Sequence, residues 1–332
     1  MLNSNPSRIV FGLSLTLGII IAVSSNSWFT SWLGLELNLL SFIPIISSSF
    51  NSYSSEAALK YFLIQALGSA MILISATSMS VFLVNPSLLT LGALLLKTGA
   101  APVHFWFPPV MQGVSWPQCI MLMTVQKIAP LFLLSYAIVS LITSATVMIC
   151  SSASALVGAI GGLKQTLLRK ILAYSSINHM AWLMASAFLS SNLLFTYLMV
   201  YSIVSSSVVF LLNANQIFHF KQLSSIPNTK MKTLSFMALF SLGGLPPFLG
   251  FIPKLLVINL LSSVSELLWI FILLVSSLIT LFYYTRILLT TLTLSSPKLK
   301  PLLSESTNLS IYILSFINFS PLLFPLMAFY QF

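Results

Sequence analysis

The sequence contains no aspartate and little charge of any kind. Its 332 residues carry 14 Lys and Arg against four acidic residues, all of them glutamate, so charged residues make up only 5% of the chain. A soluble protein of this size has roughly a quarter charged residues. Since 58% of the residues are hydrophobic, the composition excludes an ordinary water-soluble fold and indicates a membrane protein.

The sequence also has few cysteines and lacks the common nucleotide-binding motifs. The two cysteines, Cys119 and Cys150, lie in apolar segments and are too few to hold an iron–sulfur cluster. The chain has neither a P-loop nor a GxGxxG turn after a strand, so the sequence predicts no nucleotide-driven pump. The basic residues are scattered singly between apolar runs, which argues against a nucleic-acid partner.

Long apolar runs separated by polar or Pro/Gly-rich segments predict eleven membrane spans. At about 20 residues per transmembrane helix, the chain has room for roughly ten to twelve of them. The first run is predicted to be a retained span, because no small-residue cleavage site follows it. The predicted spans cover residues 9–24, 28–47, 57–83, 88–107, 117–137, 141–162, 171–190, 193–213, 234–261, 267–290 and 308–328.

The basic residues support this count, since positive charge collects in loops on the non-translocated side of a membrane. With eleven spans, the loops on the side opposite the N-terminus contain none of the 14 basic residues. The sequence therefore predicts that the N-terminus and all the basic loops share one side. The basic residues on that side are Arg8, Lys60, Lys164, Arg169, Lys170, Lys221, Lys230, Lys232, Arg286, Lys298 and Lys300.

Four charged residues lie deep inside the predicted spans, away from the span ends: Glu36, Lys97, Lys127 and Lys254. An ionised residue near the bilayer centre costs about 3 kcal/mol, so these groups must be paired, hydrated or neutralised. One interpretation is a buried Glu36–Lys97 ion pair that only fixes helix packing, but it leaves the other two lysines unexplained. All four charged residues are therefore candidates for moving protons.

Two histidines, His104 and His179, are the other titratable residues at this depth. Each is either a packing residue or a member of a proton relay, since histidine titrates nearest to physiological pH. By contrast, Glu56 and Lys60 are one helical turn apart and are predicted to form a surface pair.

Glycine and proline cluster beside two of the buried lysines. Lys97 precedes the run TGAAPVHFWFPP at 98–109, and Lys254 follows the run GGLPP at 243–247. These residues break helices, and such breaks are tolerated at membrane depth only where protein or water covers them. The affected spans are the fourth and the ninth, so they run in opposite directions, as in transporters built from inverted repeats.

The predicted fold is therefore an all-α polytopic membrane protein with two broken helices. It forms a single antiporter-like domain of two inverted five-helix units, residues 1–137 and 141–290, followed by a loop and a last helix within 291–332.

Several motifs together resemble one known family, NADH dehydrogenase subunit 2, the antiporter-like membrane-arm subunit of mitochondrial respiratory complex I. The resemblance covers nearly the whole chain. It implies a non-redox subunit that moves protons, coupled to electron transfer from NADH to ubiquinone in other subunits. The motifs are WLGLELNLLSFIPI (32–45), KTGAAPVHFWFPPVMQG (97–113), VQKIAP (125–130), GGLKQTLLRKILAYSSINHMAW (161–182) and GGLPPFLGFIPK (243–254).

Carried over by motif, the resemblance assigns roles to individual residues. Glu36 and Lys97 become the acid and the lysine of the family's charged pair. Lys127 becomes the central lysine and Lys254 the lysine of the second broken helix, with His179 near the polar axis between the halves. The chain departs from the family at Pro109, where an acid is common, and this puts any contact made through that acid in doubt.

The resemblance also implies the surroundings of the chain. It implies no cofactor here, with NAD, FMN, iron–sulfur clusters and ubiquinone in other subunits. The expected partners are subunits 4 and 4L, the transverse helix of subunit 5 and lipids such as cardiolipin, with no nucleic acid. The expected location is the mitochondrial inner membrane, with the N-terminus on the matrix side. Two alternatives remain: a free-standing cation/proton antiporter and a structural spacer whose charges only specify packing.

Overall fold

The computed structural model describes residues 6–47, 51–82, 87–225, 229–293 and 318. Within these ranges the chain is built of α-helices, which confirms the all-α prediction for this part of the chain. The helices are α1 (Pro6–Val23), α2 (Trp28–Ile46), α3 (Ser52–Phe82), α4 (Ser87–Thr98), α5 (Phe107–Gly113), α6 (Trp116–Met123), α7 (Val125–Ala137), α8 (Leu141–Leu163), α9 (Leu168–Leu189), α10 (Ser191–Ala214), α11 (Thr229–Gly243), α12 (Phe251–Ser263) and α13 (Leu267–Thr293), with a short 3₁₀ helix at Phe220–Ser225.

Length and apolar composition mark seven segments of the described chain as able to cross a membrane. Helices α4 and α12 and the segment Met231–Gly243 of α11 are apolar but shorter. The predicted eleventh span, residues 308–328, lies outside the described residues except for Asn318. The seven long segments are Pro6–Val23, Trp28–Ile46, Ser52–Ser78, Trp116–Ala137, Leu141–Leu163, Ser191–Ala214 and Leu267–Thr291.

Serine residues start three helices that follow very short connections. The hydroxyl oxygens of Ser27, Ser140 and Ser190 accept hydrogen bonds from backbone N–H groups in the first turns of α2, α8 and α10. These caps satisfy donors that a helix leaves unpaired at its start. Because the connections are short, α2 packs against α1 and α10 packs against α9 in the opposite direction.

Close contacts between neighbouring helices depend on glycine. A Cβ atom at Gly34 of α2 would lie 2.6 Å from the backbone nitrogen of Ala22 in α1. A Cβ atom at Gly158 of α8 would lie 2.6 Å from the backbone nitrogen of Asn178 in α9. Small residues let membrane helices approach backbone to backbone in this way. The two contacts fix helices that carry candidate residues, Glu36 on α2 and His179 on α9.

The fourth and ninth predicted spans are both interrupted, as the glycine and proline runs predicted. A turn separates α4 from α5 and a second turn separates α11 from α12. Each interruption begins with a glycine in the left-handed region, Gly99 at φ 73° and Gly244 at φ 78°. Glycine adopts this conformation without the strain that a side chain would introduce.

A third interruption, at Thr124, divides the span predicted over 117–137. Helix α6 ends at Met123 and α7 begins at Val125. Thr124 has φ −114° and ψ −72°, and its hydroxyl donates a hydrogen bond to the carbonyl of Ile120 at 2.7 Å. Threonine hydroxyls compete with the backbone for such carbonyls. The interruption places Lys127 in the first turn of a new helix.

Several connecting segments meet at one end of the helix bundle. Arg169 donates a hydrogen bond to the carbonyl of Gln112 at 2.9 Å, and its guanidinium lies 4.6 Å from the centre of the Phe218 ring. Arg286 donates to the carbonyl of Gln165 at 3.5 Å. We call this region, defined by these five residues, the basic end. Segments that the charge pattern assigned to one side of a membrane therefore lie together.

Candidate functional site

Lys254 lies beside the break between α11 and α12. Its side chain is 5% exposed, and Nζ donates a hydrogen bond to the carbonyl of Gly243 at 2.8 Å. A helix leaves its last carbonyls unpaired, and the lysine takes one of them. A Cβ atom at Gly244 would lie 2.9 Å from Nζ of Lys254, so glycine also provides space for the lysine here.

His179 reaches the same helix end from α9. Its Nε2 lies 3.2 Å from the carbonyl of Leu242, and its Nδ1 lies 3.2 Å from the Tyr197 hydroxyl. A carbonyl only accepts, so this network assigns the proton to Nε2 and makes Nδ1 the acceptor of the tyrosine proton. His179 and Lys254 therefore bind two consecutive carbonyls at the end of α11.

Lys127 lies deeper in the bundle, between α5, α9 and α10. Its side chain is 2% exposed, and Nζ makes a long hydrogen bond of 3.4 Å to the carbonyl of Ser176. Nζ also lies 5.1 Å from the centre of the Phe107 ring and 5.4 Å from that of Tyr201. The Tyr201 ring centre is 5.0 Å from that of His179. Tyr201 thus lies between Lys127 and His179.

Lys97 and Lys127 line one small cavity. Its volume is about 20 Å³, enough for about one water molecule. Lys97 is in the last turn of α4, where Gln65 donates to its carbonyl at 3.2 Å. The rest of the lining is partly apolar and partly made of polar side chains suited to holding water, namely Asn38, Tyr61, Gln65, Thr98 and Gln126.

Glu36 is near Lys97 but does not contact it. The Glu36 carboxylate interacts electrostatically with Lys97, yet the described residues contain no ion pair within 4.0 Å between them. The Oε2 atom of Glu36 is buried and has no hydrogen-bond partner. The one ion pair within the described part of the chain joins Glu56 and Lys60 on α3, as predicted.

His104 stands apart from the lysines. It lies in the turn between α4 and α5, with Nδ1 3.2 Å from the carbonyl of Pro102. It lines a separate cavity of about 170 Å³ with Gln165, Lys170 and Pro109, among others, next to the basic end. No cluster of three or more His, Cys, Asp or Glu side chains suited to a metal occurs within the described ranges.

The arrangement is a row of buried groups across the bundle, which we call the lysine row: Lys97, Lys127, His179 and Lys254. Sequence reasoning identified these residues but not the groups that connect them, Tyr197 and Tyr201. Polar residues within long apolar runs were the available signal for them. Water, hydroxyl, imidazole and amine groups in such a row are able to exchange protons.

Comparisons with known proteins find relatives over most of the chain. Residues 25–87 and 80–280 match the family described as NADH:quinone oxidoreductase/Mrp antiporter, transmembrane. The NADH-ubiquinone oxidoreductase chain 2 of Anopheles gambiae is 45% identical over 293 residues, covering 85% of this chain and 84% of the relative. The protein of the same name from Aedes aegypti is 43% identical over 291 residues, covering 84% of each.

A solved structure shares the fold. It is a chain in respiratory complex I from Thermus thermophilus with bound aureothin, which superposes with a TM-score of 0.85 at 23% sequence identity. The match covers 98% of this chain and 80% of that chain.

Proposed function

Because this chain belongs to the family of NADH-ubiquinone oxidoreductase chain 2, we propose that it moves protons along its lysine row as a membrane-arm subunit of NADH:ubiquinone oxidoreductase. The observation that carries the proposal is that polar groups follow one another from Lys97 to Lys254 without a long apolar gap. Lys97 and Lys127 share a water-sized cavity, and Tyr201 and His179 link Lys127 to the carbonyls that hold Lys254.

The chemistry rests on the cost of charge in an apolar interior. Burial disfavours an ammonium group unless nearby groups compensate it, and neighbouring ammonium groups repel one another. Lys97 and Lys127 therefore take up and release protons as a coupled set. A change in charge near Glu36 alters the proton affinity of Lys97 first, and the effect then passes along the row.

Electron transfer takes place in other subunits in this proposal. NAD, FMN, iron–sulfur clusters and ubiquinone bind there, and this chain contributes proton-transfer groups only. Its neighbours are the membrane-arm subunits 4 and 4L, the transverse helix of subunit 5 and lipids such as cardiolipin. Exposed leucines support such apolar neighbours, for example Leu13 and Leu17 on α1 and Leu40 on α2, which are 61%, 57% and 53% exposed.

Two inverted five-helix units, residues 1–137 and 141–290, form the proposed transmembrane architecture, with a loop and an eleventh span after them. The break between α4 and α5 and the break between α11 and α12 support this division. Each break has a left-handed glycine and a buried lysine beside it. In inverted repeats such breaks expose oriented backbone groups near the middle of the membrane.

The chain lies in the mitochondrial inner membrane in this proposal, with the N-terminus and the basic end facing the matrix. The sorting of basic residues and their contacts at one end of the bundle support this orientation. We expect Lys164 to react with a membrane-impermeant amine label applied from the matrix side. Labelling of Lys164 from the opposite side alone would contradict the orientation.

Replacing Lys127 with methionine tests the proton pathway. Methionine keeps the apolar bulk of the side chain but cannot carry a proton, so we expect the complex to assemble with turnover lowered on the order of tenfold or more. The measurement is the rate of NADH oxidation and the number of protons moved per electron in assembled complexes. Lys60→Met is the matched control, because Lys60 is exposed on α3.

Normal turnover and normal proton stoichiometry in Lys127→Met would contradict the proposal and favour a structural spacer. Proton transport by the purified chain alone, without the other subunits, would instead favour a free-standing cation/proton antiporter.

A further inference from the structure

One residue from far along the chain reaches the second helix break. Asn318 lies within the predicted eleventh span and is 1% exposed. It contacts two parts of the bundle, the turn between α11 and α12 and the second half of α10. A polar side chain buried in an apolar interior costs free energy unless hydrogen bonds compensate it. The hydrogen bonds that Asn318 makes therefore indicate its role.

The backbone of Asn318 binds the turn between α11 and α12. Its carbonyl accepts a hydrogen bond from the N–H of Leu249 at 3.2 Å. The carbonyl of Leu249 accepts another, at 3.3 Å, from the N–H of Ile252 in the first turn of α12. The first N–H groups of a helix lack partners within the helix itself. Asn318 is thus joined through two hydrogen bonds to the start of the helix that carries Lys254.

The side chain of Asn318 binds α10. Its Nδ2 donates a hydrogen bond to the hydroxyl oxygen of Ser207 at 2.8 Å. That hydroxyl donates its own proton to the carbonyl of Val204 at 2.7 Å, about one turn earlier on the same helix. A hydroxyl oxygen that has donated its proton still accepts a hydrogen bond. A single residue therefore connects the turn between α11 and α12 to α10.

The amide group of Asn318 is satisfied on one side only. Its Oδ1 atom is buried and has no hydrogen-bond partner among the described residues. A leucine of nearly the same shape would fill this place without an unpaired oxygen. Packing alone therefore does not explain an asparagine here, whereas the hydrogen bond from Nδ2 to Ser207 does.

The first break is closed in a different way. There the indole N–H of Trp106, in the turn between α4 and α5, donates to the carbonyl of Leu96 at 3.1 Å. The first break is thus closed by a side chain of its own turn. The turn of the second break, residues 244–250, contains two glycines and two prolines, and proline has no N–H to donate. Here an outside residue, Asn318, supplies the hydrogen bonds that reach a neighbouring helix.

We propose that Asn318 is a positioning residue for Lys254, because it holds the turn between α11 and α12 against α10. The inference rests on the proposed function of the lysine row. The side chain anchors Asn318 on α10, and its carbonyl then holds the turn. Lys254 is the fourth residue of α12, and its Nζ reaches the carbonyl of Gly243 at 2.8 Å. A shift at the start of α12 moves the lysine with it, since one helical turn comprises 3.6 residues.

The experiment measures turnover and protons per electron in assembled complexes that carry Asn318→Leu or Ser207→Ala. Each change removes the hydrogen bond between Asn318 and α10 and alters the packing little. Loss of this bond predicts a fall in turnover of about fivefold in either variant. Because both variants remove the same bond, we expect the double variant to fall no further. Ser206→Ala is the matched control, since the Ser206 hydroxyl donates to the carbonyl of Ile203 on its own helix at 2.9 Å.

A second comparison tests whether the effect passes through Lys254. In complexes that already carry Lys254→Met, we expect Asn318→Leu to cause no additional loss of the residual turnover, since no amine remains to be positioned. A purely structural role predicts a lower yield of the complex with unchanged turnover per assembled complex, or the same fold loss with and without Lys254. Either of these results would overturn the proposal.

Ser207→Ala decides the question if Asn318→Leu does not assemble, and normal turnover in Ser207→Ala would then contradict the proposal. Impaired turnover in Lys254→Met together with normal turnover in both Asn318→Leu and Ser207→Ala would refute the positioning role alone. Normal turnover in Lys254→Met would refute the proposed function of the lysine row, and the positioning role with it.

Discussion

Replacing Gly250 with alanine is expected to lower proton pumping more than alanine at any other glycine of the chain. Gly250 immediately precedes α12, and a Cβ atom there would overlap the backbone carbonyl oxygen of Ser241 in the last turn of α11. A clash with backbone atoms cannot be relieved by rotating a side chain. The break between the two helices must open, and Lys254, four residues later, moves away from the carbonyl of Gly243.

Gly243→Ala is the matched control within the same break. A Cβ atom at Gly243 meets only Tyr284 and Leu281, at 3.6 and 3.8 Å, which are ordinary contact distances. We expect near-normal protons per electron in this variant, and a loss on the order of tenfold or more in Gly250→Ala. A normal number of protons per electron in Gly250→Ala would show that the close packing of α12 against the end of α11 does not position Lys254 for function.

Replacing Glu36 with glutamine is expected to preserve assembly while lowering the proton pumping that accompanies NADH oxidation. Glutamine keeps the volume of the side chain and removes its negative charge. Because Glu36 and Lys97 are not in contact, the carboxylate acts on the lysine through space. Without that charge the ammonium form of Lys97 loses its compensation in a medium of low dielectric constant.

The double variant Glu36→Gln with Lys97→Met separates charge from packing. If the two residues only fix helix packing, apolar replacement of both is tolerated and function returns, as often happens with buried ion pairs. We expect no such rescue. The measurement is proton stoichiometry and turnover in each single and double variant, and full activity in the double variant would contradict the mechanism. Glu56→Gln with Lys60→Met provides a control pair on the exposed face of α3.

The features predictable from the sequence were those that depend on local chemistry. Gly99 and Gly244 adopt left-handed conformations that few other residues tolerate, so the runs around them indicated both breaks. Glu56 and Lys60 are one turn apart on a helix, which fixed their pairing. The buried lysines were conspicuous because charge is rare within apolar spans.

The features that could not be predicted depend on contacts between distant helices. The interruption at Thr124 involves neither glycine nor proline, and threonine within a helix is common. The approach of the Tyr201 ring to within 5.0 Å of the His179 ring joins α10 to α9. Spans that are apolar on all faces have no periodicity that shows which side faces which neighbour. For the same reason, the sequence did not show that Glu36 and Lys97 are out of contact or that His104 lies apart from the lysines.

The end of α11 joins two titratable side chains mechanically as well as chemically. His179 binds the carbonyl of Leu242, and Lys254 binds that of Gly243. Consecutive carbonyls on a helix are rotated by about 100° about its axis, so the two side chains approach α11 from different directions. A small rotation of α11 that lengthens one hydrogen bond also changes the other. We therefore expect proton uptake by Lys254 to alter the hydrogen bond of His179 through movement of the helix, without a proton passing between them.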